Sequence, residues 1–135
     1  MTEIMDFLLE QWIFSGTLVA LVALLIYGER SKKYQIVDTN GAVTLMDDAD
    51  LMIIDIREDK ERAAGFINSS THIPMAKVKG ELNALDKSKT ILVYCKSGMR
   101  SKTTAELLCK NQFDHVYNLK GGFDAWKTAG LPIKK

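Results

Sequence analysis

Hydrophobic positions along the chain follow two regimes. From Trp12 to Tyr27, sixteen successive residues carry no charge. From Tyr34 onward, short apolar runs alternate with charged stretches. The first regime predicts a helix with no polar face. The second predicts strands separated by helices.

The second regime resolves into elements. Tyr34–Val37 reads as a short strand, and Asp38-Thr39 can cap a helix running to about Asp47. Leu51–Ile56 is a compact apolar run that meets the charged Asp55, so it reads as a buried strand. Glu58–Ala64 is a short charged helix stopped by Gly65. Thr71–Ile73 is a minimal strand ended by Pro74, and Lys77–Leu85 is a second short helix. Thr90–Tyr94 is the central strand, followed by a helix over Ser101–Asn111 with Ala105, Leu108 and Cys109 on one face. A strand over His115–Leu119 and a closing helix over Gly122–Thr128 complete the chain. This alternation predicts an α/β domain, a mostly parallel sheet with helices on both faces. In such sheets ligands bind beyond the carboxyl ends of the strands. Cys95 and Asp55 both stand at such ends, which predicts that they point to the same rim.

The uncharged run needs its own reading. As a helix it is about 24 Å long, a little under the ~30 Å hydrocarbon thickness of a bilayer. Extending it over residues 11–28 gives about 27 Å, and Arg30 and Lys32 can snorkel. Trp12 and Tyr27 sit at its ends, where interfacial aromatics are favoured. A buried globular helix fits poorly, because the run is apolar on every side. A cleaved signal peptide fits poorly too, because the preceding residues carry Glu3, Asp6 and Glu10 and no base, and Ile26–Arg30 is a poor cleavage site. The sequence therefore predicts a single retained anchor: a segment 1–33 with a helix at about 11–28 and a basic link, then a domain 34–135. Arg30, Lys32 and Lys33 place that domain in the cytoplasm by the positive-inside rule, as on a bacterial inner membrane.

Charge and cysteine usage narrow the function. The net charge is +1, and residues 34–135 hold 15 basic and 13 acidic side chains. No basic stripe interleaves with aromatics, so no nucleic-acid partner is expected. The two cysteines, Cys95 and Cys109, form no disulfide framework and no CxxC. His72 and His115 show no ligand spacing with them, so no metal is expected.

The candidate chemistry lies in Ile91–Ser101. A buried strand runs into Cys95, then Lys96, Ser97, Gly98, Met99 and Arg100, and a helix begins. Amides at a helix start point toward an anion, and with Lys96 and Arg100 they favour the thiolate. Gly98 permits a turn that a side chain would obstruct.

Three stretches together resemble the rhodanese family, in its single-domain, membrane-anchored form. Val93–Ser101 is similar to its active-site loop, Leu119–Pro132 to its C-terminal signature, and Ile54–Arg57 through Gly65 to Pro74 to its N-terminal one. The likeness covers roughly 35–132. Gly65-Phe66-Ile67 followed by Asn68-Ser69-Ser70 departs from the family's usual middle signature, at positions that concern turns rather than chemistry. The resemblance implies a rhodanese-like, mostly parallel five-stranded sheet. It also implies sulfur transfer through a Cys95 persulfide, from a donor such as thiosulfate or a persulfide to a thiol or cyanide acceptor, with no cofactor. Six residues from Cys95 to Arg100 match the family's sulfurtransferases; its phosphatases have a loop one residue longer, fitted to a larger anion. A membrane-tethered persulfide carrier, served by a sulfur-relay protein partner, needs the same loop and stays open beside the enzyme.

The remaining side chains have structural readings. Arg100 serves either the anion or a carboxylate such as Asp55 or Glu58. Asp55 reads as a hydrogen-bonding residue at a strand end more than as a base. Arg57 and Glu61, four apart, suggest an ordinary helix pair. Cys109, Phe113, Tyr117 and Trp126 read as packing residues.

Overall fold

The computed structural model describes residues 1–29 and 33–135. Arg30 and Lys32, two of the bases of the expected link, lie outside the described residues. The chain divides into two compact units, Met1–Ser31 and Lys32–Lys135.

The first unit is one helix, α1 (Thr2–Glu29). It begins nine residues earlier than the predicted start at about 11, because the sequence before Gln11 holds no Gly or Pro to stop it and Glu3 complements the positive end of the helix. Thr2–Tyr27 is long and apolar enough to cross a membrane, at about 39 Å. Its side chains through Tyr27 are exposed. The Thr17 hydroxyl donates to the Ile13 carbonyl, so this polar group needs no water.

The second unit is an α/β fold. Its strands are β1 (Gln35–Val37), β2 (Leu51–Asp55), β3 (Phe66–Ile67), β4 (Ser70–His72), β5 (Thr90–Tyr94), β6 (Val116–Leu119) and β7 (Ile133–Lys134). Its helices are α2 (Thr39–Leu45), α3 (Asp59–Ala63), α4 (Met75–Glu81), α5 (Met99–Lys110) and α6 (Gly122–Thr128). Five strands form one parallel sheet in the order β1-β6-β5-β2-β4. The central β5 is buried from Ile91 onward, as its uninterrupted apolar run requires of a strand covered on both faces.

Side-chain alternation divides the core in two. Ile54, Ile56, Ile91, Val93 and Cys95 share a cluster with Val78 and Leu82 and with Ala105 and Leu108 of α5. Ile53, Leu92, Tyr94 and Leu119 share the other with Ala42 of α2 and with Phe123 and Trp126 of α6. Phe113 and Trp126 are core residues as predicted, and Tyr117 and Cys109 pack partly buried against the two clusters.

Three details depart from the predicted elements. Helix α5 begins at Met99, two residues before Ser101, so the loop after Cys95 is only three residues long, Lys96–Gly98. Pro74 is the N-cap of α4, which starts at Met75 rather than Lys77. The antiparallel pair β3–β7 had no periodic signal, since two residues per strand are too few to show one. It seats the C-terminal Ile133 against Gly65, where a Cβ would lie 2.9 Å from Ile133 Cγ2.

Candidate active site

Cys95 directly follows β5 and has no exposed surface. Its Sγ accepts from the Gly98 amide at 3.1 Å and from the Ser101 amide at 3.4 Å, and the Ser101 hydroxyl lies 3.4 Å away. Burial pushes the thiol up. The Ser101 hydroxyl and the amides of Ser101, Ser97 and Gly98 pull it down, and the net direction is below an ordinary cysteine. The main-chain amides of the loop and of the first turn of α5 thus act on the sulfur together with the Ser101 hydroxyl, the largest of the downward pulls.

The loop is held by two elements distant in sequence. At the start of α6, the amides of Phe123 and Asp124 donate to the carbonyls of Cys95 (2.8 Å) and Lys96 (3.0 Å). Gly122, at φ +58°, allows this approach: a Cβ there would stand 2.4 Å from the Cys95 carbonyl oxygen. From β6, Asn118 Nδ2 donates to the Gly98 carbonyl at 3.2 Å, and the Ser101 hydroxyl donates to Asn118 Oδ1 at 2.5 Å. Ser101, Asn118 and Gly122 were not singled out from sequence as site residues. The signal for Gly122 was its place in Gly121-Gly122-Phe123; Asn118 carried none, being a polar residue on an otherwise apolar strand.

The predicted cations behave differently from one another. Lys96 is exposed at the loop, as are Ser97 and Met99. Arg100 is bound by Glu61 of α3 through two contacts of 2.8 Å, and not by Asp55 or Glu58. Hydrogen bonding to Arg100 brings the Glu61 carboxyl down to about 2. The expected Arg57–Glu61 helix pair is therefore absent: Arg57 precedes α3 and turns into the core.

Asp55 and Arg57 do not meet Cys95. Asp55 is in register with Tyr94, so its side chain shares Tyr94's face of the sheet, opposite to that of Cys95. Both residues stand at the carboxyl rim of the sheet, as expected, but this one-residue difference in parity sends their side chains to opposite faces. Asp55 is fully buried and accepts from Arg57 Nε (3.0 Å) and Nη2 (2.9 Å), Arg62 Nη1 (3.2 Å) and the Tyr94 hydroxyl (2.8 Å). Burial pushes its carboxyl up, but hydrogen bonds from Arg57 and Tyr94 outweigh it and hold it below its usual value. The Arg57 guanidinium also donates to the Gly65 carbonyl (2.7 Å) and lies 4.1 Å over the Phe123 ring. This cluster braces the ends of β2 and β5 and the turn at Gly65, and it leaves no open valence for a ligand.

Among the described residues no cluster of His, Cys, Asp and Glu is placed to hold a metal ion.

A family profile described as Rhodanese-like domain matches residues 32–129. The chain belongs to the rhodanese-like family. It is 30% identical over 104 residues to the thiosulfate sulfurtransferase GlpE of Actinobacillus pleuropneumoniae, covering 77% of this chain and 96% of that protein. A rhodanese-related protein from Thermoplasma volcanium superimposes with a TM-score of 0.69 at 25% identity, over 75% of this chain and 98% of that one. A Rhodopseudomonas palustris protein described as a possible tyrosine phosphatase superimposes with a TM-score of 0.67 at 26% identity, over 75% of this chain and 85% of that one. The rhodanese likeness and the sulfurtransferase relatives make this a rhodanese-type sulfurtransferase domain.

Proposed function

We propose that Cys95 carries sulfane sulfur as a persulfide between a donor such as thiosulfate and a thiophilic acceptor. The observation that carries this reading is the main-chain seat of its sulfur: amides of Gly98 and Ser101 on Sγ, with the thiol drawn below its ordinary pKa. The thiolate attacks the outer sulfur of thiosulfate, the sulfur–sulfur bond breaks, and sulfite leaves with the electron pair. The new outer sulfur of Cys95 carries the negative charge. A thiol, or cyanide in the test tube, then takes that sulfur and regenerates the thiolate. The loop from Lys96 to Arg100 surrounds the anion, with Lys96 the cation left to attract it. The count of six residues from Cys95 to Arg100 favours sulfur over the larger phosphate.

Cys95 lies beneath the loop, whose Ser97 and Met99 side chains are exposed above it, so the donor approaches from that side. The test is cyanide-dependent thiocyanate production from thiosulfate by the full chain in detergent, against Cys95→Ser. Turnover lost in the variant supports the enzyme. A Cys95 that gains one sulfur by mass spectrometry but turns over poorly supports the persulfide carrier. A Cys95 that gains sulfur from no donor ends the sulfur reading.

Residues 1–33 are, in the same proposal, a single-pass anchor for the domain 34–135, with that domain on the cytoplasmic side. The support is the length and apolarity of Thr2–Tyr27 and the bases that follow it. Resistance to carbonate extraction, lost when 1–28 are removed, is the expected outcome.

A further inference from the structure

Ser101 stands between two buried partners and has one proton to give. Its Oγ lies 2.5 Å from Asn118 Oδ1 and 3.4 Å from Cys95 Sγ. The orientation of the Asn118 amide follows from its other end, where Nδ2 is 3.2 Å from the Gly98 carbonyl, an acceptor that only the NH2 side can meet. Oδ1 therefore faces Ser101. Two oxygens 2.5 Å apart need a proton between them, and only the serine hydroxyl has one. With that proton on Asn118, Ser101 presents a lone pair to Cys95. This suits a thiol, whose S–H donates to Oγ, and opposes a thiolate.

We propose that Asn118 is a positioning residue that sets the acidity of Cys95 by competing with it for the Ser101 proton. The inference rests on Cys95 as the reactive thiol. In the thiolate the hydroxyl swings from Asn118 to Sγ, and the buried Oδ1 loses its donor. The downward pull of Ser101 on the thiol is thus offset by a loss at Asn118, while the amides of Ser97, Gly98 and Ser101 act without that penalty. Once sulfur is loaded, the negative charge sits one atom further out and Sγ is uncharged. The proton then returns to Asn118. Asn118 therefore favours the thiol and the persulfide over the free thiolate.

Other charges near Cys95 are Arg100 with its partner Glu61 and neighbouring Glu58, Lys96 in the loop, and exposed Asp124 of α6. Exposed Lys77, Lys79 and Glu81 lie on α4, and exposed Lys102 on α5. None of them is altered in the variants below, so their field is common to all.

The experiment is a thiolate-absorbance titration of the full chain in detergent, in a Cys109→Ser background so that one thiol is read. Asn118→Leu, close to isosteric, frees the Ser101 proton. It is expected to move the Cys95 midpoint down by about one pH unit, about tenfold more thiolate at a fixed pH below it. In a Ser101→Ala background the same substitution is expected to move nothing. Asn118→Asp, which keeps an acceptor, is expected to raise the midpoint, by less once Ser101 is Ala. It keeps the question decidable if the leucine variant does not fold. A midpoint that stays or rises with Leu, that still falls with Leu when Ser101 is Ala, or that falls with Asp overturns the proposal. Persulfide formation plays no part in this titration, so a chain that titrates as expected yet never accepts sulfur disproves the function and not the relay.

Discussion

Two buried groups at the carboxyl ends of neighbouring strands are satisfied in opposite ways. Asp55 on β2 is closed off by five donors: the amide, Nε and Nη2 of Arg57, Nη1 of Arg62 and the Tyr94 hydroxyl. Three of those donors belong to guanidinium groups, so its charge is neutralised where it sits. Cys95, one residue past β5 and on the other face, is met by amides and one hydroxyl. The cation nearest to it in sequence among the arginines, Arg100, is engaged by Glu61. A charge matched by fixed countercharges is inert structure. A charge held by main-chain dipoles is stabilised and still available to react. Tyr94 marks the boundary: burial, opposed by weaker pulls from Ser70 and Ile67, pushes its hydroxyl up to about 12, so it remains a donor to Asp55 throughout the working pH range.

The contrast breaks most decisively at Arg57. Arg57→Ala leaves Asp55 buried with part of its countercharge gone and is expected to cost about 3–5 kcal/mol. Urea unfolding checks it, and a loss below about 1 kcal/mol would mean that the cluster is not the brace described here. Gly122→Ala comes next. It forces a side chain into positive φ and into the Cys95 carbonyl, at a cost of about 1–2 kcal/mol for the backbone alone. Because that carbonyl is part of the loop, the thiol midpoint should rise and sulfur transfer fall together. Unchanged chemistry in a destabilised variant would detach α6 from the site.

Cys95→Ser sharpens the other side. Stability should change by no more than about 1 kcal/mol, while sulfur transfer disappears. The smallest effect belongs to Glu61→Gln, since its pair with Arg100 is partly exposed: under about 1 kcal/mol. The pH dependence has a definite sign. Glu61 falls from 4.5 to about 2 in the folded state, so its contribution is present above 4.5 and lost as pH drops through about 2. The stability difference between wild type and Glu61→Gln should shrink over that window. A difference that grows on acidification would contradict the pairing.

Much of the fold was legible along the chain. The apolar runs at Leu51–Ile56, Thr90–Tyr94 and His115–Leu119 read as strands because burial on both faces leaves little room for polar residues. The Asp38 cap of α2 was legible as well, and the structure shows its carboxylate accepting from the Gly41 amide at 2.8 Å. Less was legible at the site. The loop residues Cys95 to Arg100 stand together as expected, but Arg100 and Glu61 are 39 positions apart and only the packing of α3 beside the loop joins them. Asn118 offers no signal until β6 is laid next to β5 in register, Asn118 opposite Val93.

The sequence by itself determined the alternation of strand and helix, the long apolar N-terminal helix, and a cysteine at a strand end followed by a helix start. These are local properties, set by side-chain period, hydrophobic burial and the freedom of one glycine. Only the tertiary structure decided which face each rim residue takes, which carboxylate binds Arg100, and which groups surround the sulfur. Those choices depend on the sheet order β1-β6-β5-β2-β4, which brings distant segments together, and on a parity in which one residue reverses the direction of a side chain.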